Sequence, residues 1–298
     1  MRLWQDGLIF DAISARIAGA RSQSARIWVE MYEFDREDLA QSMRAARSAG
    51  CDVRLLVDPS VASSLRLATR LRSEGLPVRF YPVDDHARQI DHVKLLLAGT
   101  SALVGGMNWG RRSHLNHDYV LETRSPAVLA RLGAIFEQDW DLAGGRPAPL
   151  PGSSPPAAQT APGQEIRRLL AGDLNGAHSE IMAEVFVLTD HEILSGLIAA
   201  ARRGVPVRVL LDPNQEVNRP GFALLRQNSV QVRWYPIPAG AKLHAKTGLF
   251  DGRLIVGSAN WSRGGLSINH ELDLETQDRS AVAAYRSRFE SDWARSPQ

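Results

Sequence analysis

The 298-residue chain repeats itself, and this constrains its fold more than any other feature. Ile27-Trp28-Val29-Glu30 returns as Ile181-Met182-Ala183-Glu184, 154 positions later. Val53-Arg54-Leu55-Leu56-Val57-Asp58-Pro59 returns as Val207-Arg208-Val209-Leu210-Leu211-Asp212-Pro213, and Val78-Arg79-Phe80-Tyr81-Pro82 as Val232-Arg233-Trp234-Tyr235-Pro236, both at 154. His92-Val93-Lys94 and Asn108-Trp109 then match His244-Ala245-Lys246 and Asn260-Trp261 at 152. Asn116-His117-Asp118 matches Asn269-His270-Glu271, and Phe136-Glu137-Gln138-Asp139-Trp140 matches Phe289-Glu290-Ser291-Asp292-Trp293, at 153. The order never breaks, so the chain arose by duplication. Two similar domains pack with pseudo-two-fold symmetry, as a homodimer would. Residues near such an axis, one set from each copy, can build a single site, and a monomer then supplies both halves.

Between the copies, Ala143 to Gln164 holds six prolines among Gly, Ala and Ser. That composition reads as a flexible or extended linker. It places repeat one at residues 1–142, the linker at 143–164 and repeat two at 165–298. Each copy reads as α/β. Helices are expected over Leu8–Ala20 and Gln164–Ala177, and strands over Arg26–Met31 and Glu180–Leu188. Helices follow at Glu37–Ala49 and His191–Arg203, stopped by Gly50 and Gly204. Strands Val53–Val57 and Val207–Leu211 are too apolar to face water on either side. A hairpin follows in each copy, Val93–Gly105 and Ala245–Gly257. A closing helix then sets Phe136 and Trp140, or Phe289 and Trp293, on one core-facing stripe.

With 44% hydrophobic and 23% charged residues, the composition is that of a globular chain with sizeable cores. No apolar stretch approaches the ~20 residues that span a bilayer. Met1-Arg2-Leu3-Trp4-Gln5-Asp6 lacks a signal-peptide core, and a cytoplasmic location is expected. The single cysteine, Cys51, excludes an internal disulfide and a cysteine-built zinc site, and reads as an inert core residue. A formal net charge of +2 excludes binding by bulk charge, so any anion site is local. Of 35 basic residues only three are lysines, Lys94, Lys242 and Lys246. Two of the three stand at matched positions, two residues after a histidine.

Side chains two apart in a strand share a face, so His92 and Lys94 project together, as do His244 and Lys246. Two potential cations side by side repel unless both face an anion. Histidine can act as nucleophile or proton donor, and lysine supplies a point charge to phosphate oxygens. Asn108 and Asn260, 16 residues after each histidine, can donate to the same oxygens. Ser258 adds a hydroxyl in repeat two, where repeat one has Gly106. Asp118 and Glu271, at the start of a following strand, can hold the second ring nitrogen of a histidine.

His244-Ala-Lys246, then Asp251 and Gly257-Ser258-Ala259-Asn260-Trp261-Ser262, resembles the signature of the phospholipase D superfamily, and the resemblance extends through both repeats. It implies an α/β fold of two similar repeats, each a mixed sheet flanked by helices, packed with pseudo-two-fold symmetry around one active site. It also implies metal- and cofactor-independent phosphodiester transfer through a phosphohistidine. His92, Lys94, Asn108, His244, Lys246, Ser258 and Asn260 would line that site, Asp118 and Glu271 would orient the histidines, His92 would be the nucleophile and His244 the acid. Repeat one departs from the signature, with Gly99 where repeat two has Asp251. Asp251-Gly252 suits a type I′ turn and Gly99-Thr100 a type II′ turn, so both read as turn residues rather than chemical ones.

For the substrate, Arg111, Arg112 and Arg263 beside the Asn motifs suit phosphates flanking the scissile one. Together with the short repeats they favour a nuclease, with a phospholipase D or cardiolipin-synthase-like phosphatidyltransferase as the alternative and a non-catalytic phosphate binder third. Trp109 and Trp261 read as packing residues, Asp58 and Asp212 as turns, and Lys242 as a solvated loop residue. His117 and His270 read as supports for strand starts. Glu30 and Glu184, inside apolar strands, require buried partners and are expected in structural contacts near the interface between repeats.

Overall fold

The structure, a computed structural model, describes residues 1–146, 156–161 and 164–297. Repeat one runs β1 (Arg2–Gln5), α1 (Leu8–Ser22), β2 (Ile27–Met31), α2 (Glu37–Ser48), β3 (Val53–Val57), α3 (Ala62–Ser73), β4 (Val78–Phe80), β5 (Lys94–Ala98), β6 (Ser101–Gly105), β7 (Tyr119–Thr123) and α4 (Pro126–Leu142). Repeat two runs β8 (Ala157–Gln159), α5 (Glu165–Gly176), β9 (Ile181–Val185), α6 (His191–Arg202), β10 (Val207–Leu211), α7 (Arg219–Gln227), β11 (Gln231–Trp234), β12 (Lys246–Phe250), β13 (Arg253–Gly257), α8 (Arg263–Ser267), β14 (Leu272–Thr276) and α9 (Arg279–Arg295).

Each repeat forms one seven-stranded mixed sheet, ordered β1-β7-β6-β5-β2-β3-β4 and β11-β10-β9-β12-β13-β14-β8, the same order read from opposite edges. The β2-β3-β4 and β9-β10-β11 pairs are parallel, and the rest are antiparallel. Alternation along β5 explains the layers. Leu95 and Leu97 enter a central core shared by both repeats, whereas Leu96 and Ala98 join repeat one's outer core under α1 and α2. The central core also takes Phe136 from α4 and Phe289 and Trp293 from α9. Sheet therefore packs directly on sheet, β6 and β7 against β13 and β14, with α4 and α9 beside this contact, and α1–α3 and α5–α7 cover the outsides.

The linker reading needs one correction. Ala157–Gln159 pair antiparallel with Leu272–Leu274 as the edge strand of the second sheet, the counterpart of β1 on β7. Two alanines and a glutamine carry no β-branched or aromatic signal, so only the partner strand fixes this segment. The remainder of that segment, 147–155 and 162–163, lies outside the described residues.

The hairpin turns follow the chemistry read from their residues. Asp251 and Gly252 both have positive φ, 49° and 90°, as a type I′ turn requires. In repeat one only Gly99 does, at 57°. The Asp251 carboxylate points away from the site. It accepts from the backbone N–H groups of His178, Ser179 and Glu180 at 2.7, 2.8 and 2.9 Å, fixing the entry to β9. Three donors hold its carboxyl well below the usual range against the opposing effect of burial.

Candidate active site

Both His-x-Lys segments stand at one end of their sheets, just before or at the start of β5 and β12. Asn108 and Asn260 follow the ends of β6 and β13, and Asp118 and Glu271 precede β7 and β14. The two ends meet. The His92 backbone N–H donates to the His270 carbonyl at 2.8 Å, and that of His244 to the His117 carbonyl at 2.8 Å. Asp91 thereby bridges to His270, and His117 to Leu243. Each histidine-bearing segment is thus seated on the other repeat. Buried Asp58 and Asp212, read from sequence as turns, reinforce this. Each caps its own turn with one oxygen, and with the other accepts from Asp91 N–H (2.7 Å) or Leu243 N–H (2.8 Å), just ahead of His92 and His244.

The side chains cross the same boundary. His92 Nδ1 lies 2.8 Å from Glu271 Oε2, and His244 Nδ1 lies 2.8 Å from Asp118 Oδ2. A carboxylate on Nδ1 makes that nitrogen the donor and leaves Nε2 as the reactive atom. Neither Nε2 makes a hydrogen bond among the described residues. Both lysines fold over their own strand, Lys94 Nζ donating to the His92 carbonyl and Lys246 Nζ to that of His244. His92, His244, Lys94, Lys246 and Asn108 are each no more than 7% exposed, so these groups lie below the surface. Tyr32 lies edge-on to His92 and Phe186 is tilted against His244, both with ring centroids 4.9 Å apart. These two aromatics, equivalent at 154, went unremarked in the sequence because each is a single aromatic after a strand, not part of a matched run.

Burial dominates the electrostatics. It pushes Lys94 down to about 7 and Lys246 to about 8, although Glu271 and Asp118 oppose it. His92 falls to about 4, burial outweighing its Glu271 partner. His244 falls well below its ordinary value through burial, Lys246, Lys94 and the charge of His92. The two carboxylates differ. Burial lifts Asp118 to about 7, and besides His244 it accepts only the Tyr119 backbone N–H, at 2.8 Å. Burial also acts on Glu271, but His92, Lys94 and Ser258 overcome it and its carboxyl stays below the ordinary range.

Ser258 contributes to that difference. Its hydroxyl donates to Glu271 Oε2 at 2.6 Å and accepts the Leu272 N–H at 2.9 Å, so in this structure it is engaged by the carboxylate. Repeat one has Gly106 there because a Cβ would lie 2.3 Å from Asp118 Oδ1. The arginines sit outside this cluster. Arg111 donates its backbone N–H to Asp35 at 2.7 Å, Arg112 reaches toward Gly240, and Arg263 begins α8. All three are exposed.

Behind the site lie two networks that join the repeats. His117 meets Asp6 (2.7 Å), Asp292 (3.4 Å) and Glu184 (3.5 Å), and stacks on Tyr235. His270 meets Asp139 (2.9 Å) and Glu30 (3.4 Å), and stacks on Tyr81. Glu184 thus faces His117 and accepts the Tyr119 hydroxyl at 2.5 Å, whereas Glu30 faces His270 with neither oxygen hydrogen-bonded among the described residues. Asp139 and Asp292 were missed, although their recurrence inside Phe-x-x-Asp-Trp was visible. Trp109 and Trp261 are buried against Phe34 and Phe250. His86, His114, His178, His191 and Lys242 are exposed, and Cys51 is buried.

Two repeats of this topology, with crossed histidine–carboxylate pairs beside two lysines, define the phospholipase D superfamily of phosphodiester-transferring enzymes. Residues 13–140 and 170–293 match the family described as cardiolipin synthase, PLD-like domain, and the chain belongs to it. It is 25% identical to a probable cardiolipin synthase, YwiE, of Bacillus subtilis over 91% of this chain and 62% of that one. It is also 25% identical to cardiolipin synthase A of Escherichia coli O157:H7, over 82% and 58% respectively. The chain therefore spans about six-tenths of the length of these relatives. Among solved structures, phosphatidylserine synthase from Haemophilus influenzae shares the fold, with TM-score 0.76 and 12% identity over 99% of this chain and 86% of that one. The names of these relatives give no support to the expected preference for nucleic acid. No helix among the described residues is long and apolar enough to cross a membrane.

Proposed function

We propose that this chain is a phosphatidyltransferase of the cardiolipin-synthase kind. It takes a phosphatidyl group from a phospholipid onto a histidine and passes it to an alcohol or to water. The observation that carries the reading is the crossed pairing of His92 with Glu271 and His244 with Asp118. It aims two Nε2 atoms, one from each repeat, into one site, as a two-step displacement with a covalent intermediate needs. The lipid class follows from the relatives' names.

The difference between the two carboxylates supports one division of roles. When Nε2 bonds phosphorus, the ring becomes cationic and needs a firmly ionised partner. Glu271, held by His92, Ser258 and Asn269, is that partner, so His92 is the nucleophile. The other pair must carry a proton to the leaving oxygen. Asp118, raised to about 7 by burial, can hold that proton itself: protonated, it donates to His244 Nδ1 and leaves the ring proton on Nε2, which passes it to the leaving oxygen and then takes the proton of the incoming hydroxyl. Lys94, Lys246, Asn108 and Asn260 surround the non-bridging oxygens and oppose the charge that develops there.

Phosphatidylglycerol vesicles, single-stranded DNA and RNA, assayed in parallel with a chelator present, test the substrate. Lipid turnover alone is the expected result, and nucleic-acid cleavage without lipid turnover would overturn it. Rapid-quench labelling tests the roles. His92→Ala should abolish the adduct. His244→Ala should let it form from a diester with a good leaving group, and persist. Label on His244 in the His92→Ala protein would reverse the assignment.

A further inference from the structure

The repeats nearly coincide at the site, so the residues that break the symmetry decide how the two sides of a bound diester are told apart. Tyr32 and Phe186 are equivalent walls. The next residue is Glu33 in repeat one and Val187 in repeat two, and two further on stand Asp35 and Thr189. Glu33 is anchored from two directions. Its carbonyl accepts the Trp109 backbone N–H at 2.8 Å, tying it to the loop that carries Asn108. Its side chain lies over that loop, so close that a Cβ on Gly110 would sit 2.3 Å from Oε1. The carboxylate is half-buried and forms no ion pair within 4 Å among the described residues. The Asn108 amide and the charges of Lys94 and Lys242 act on it, while burial and Asp35 raise its pKa.

Half-buried beside the Asn108 loop, this carboxylate keeps part of its surface open to a bound molecule. It also opposes the anion that the neighbouring Lys94 and Asn108 attract. It is useful if a bound molecule brings donors there. A second phosphate would be repelled, and an ammonium would compete with the field of two lysines, so neutral hydroxyls fit best. We propose that Glu33 is the residue that selects a polyol as acceptor. It accepts a hydrogen bond from one hydroxyl while the neighbouring hydroxyl attacks phosphorus. In that step the incoming O–P bond forms as the His92 Nε2–P bond breaks, and the hydroxyl proton passes to His244 Nε2. Glu33 stays ionised throughout. This rests on the transferase reading, and extends it by naming the residue that selects the acceptor.

The test uses a diester with a p-nitrophenyl leaving group, whose release reports formation of the adduct, followed by product analysis with glycerol, methanol or ethanolamine present. Because transfer and hydrolysis draw on one intermediate, their ratio reports acceptor capture alone. Glu33→Gln and Glu33→Val should each lower the glycerol-to-water ratio about tenfold, the loss of one charge-assisted hydrogen bond. Nitrophenolate release should not fall, because a charge that opposes the anion is removed, and the methanol-to-water ratio should change by less than about twofold. An unchanged glycerol ratio, an equal fall with methanol, a preference for ethanolamine, or a wild-type protein that only hydrolyses would each overturn the proposal. A binding arm needs no turnover. In the His92→Ala background, Glu33→Val should weaken glycerol 3-phosphate but not inorganic phosphate, and equal effects on both would also overturn it. Lipid vesicles left untouched by a protein that passes these tests would sink the lipid reading while leaving Glu33 its role.

Discussion

At the scale of single residues, the site depends on burial. A lysine in water stays charged past pH 10, whereas Lys94 and Lys246 sit near 7 and 8 because they are almost fully enclosed. Lysines with lowered values keep their protons only below those values, so the candidate site loses positive charge as pH rises through about 7 and then about 8. A bound phosphodiester adds a negative charge and raises both again. The ratio kcat/KM should therefore fall on the alkaline side from about pH 7, while kcat stays level to higher pH, as parallel pH profiles would show. Identical alkaline limbs would show that the lysines do not govern binding. The histidines, lysines and asparagines were legible in the sequence because duplication marked them. Glu33 was not, since a residue that differs between the copies cannot be found by matching them. The bond of Ser258 to Glu271 is not legible either, because a hydroxyl beside a phosphate site and one beside a carboxylate look alike in a sequence.

At the scale of elements, duplication made the strands and helices readable to within a few residues, through hydrophobic periodicity repeated at a fixed offset. It failed at both edge strands, at β1 on β7 and at β8, where three residues without strand character are held by β14 alone, and it could not show which loops anchor which. Asp251 illustrates the second point. The superficial reading of a signature aspartate is chemical, yet this one caps three backbone N–H groups ahead of β9. Asp251→Ala should remove a cap-type interaction of about 1 kcal/mol, lowering Tm by roughly 2–4 °C for a chain of this size. Turnover at low temperature should not change. A loss of kcat with Tm preserved would return Asp251 to the chemistry. The same logic explains why repeat one tolerates Gly99. Its backbone N–H donates to the Arg26 carbonyl at 2.9 Å, and its positive φ needs no carboxylate.

At the scale of the whole molecule, the catalytic half-sites exist only while the repeats stay docked, and docking places charged groups where water cannot reach. His117 is held up to about 9: burial alone would lower it, but Glu184 and Asp6 reverse the shift. His270 is raised likewise by Asp139 and Glu30 against burial. A histidine raised in the folded state stabilises fully below its unfolded value of about 6.5, and this is lost as pH rises through the folded value. Lys94 and Lys246 have the opposite sign. Their folded values lie below the unfolded one, so folding releases protons and stability rises with pH above about 7. Between about pH 7 and 9 the two effects nearly cancel, and the wild-type protein should show a shallow pH dependence of its urea midpoint. Removing one side exposes the other. Lys94→Met should leave stability falling with pH more steeply, by up to about 1.4 kcal/mol per pH unit for the one proton balance removed. His117→Gln should tilt the slope upward by a similar amount, and Arg288→Leu, which strips the guanidinium from Asp6 and Asp292, should lower stability at every pH. If both Lys94→Met and His117→Gln leave the slope as it was, the charges of the site and of the interface are not coupled to folding, and docking rests on the shared apolar core alone.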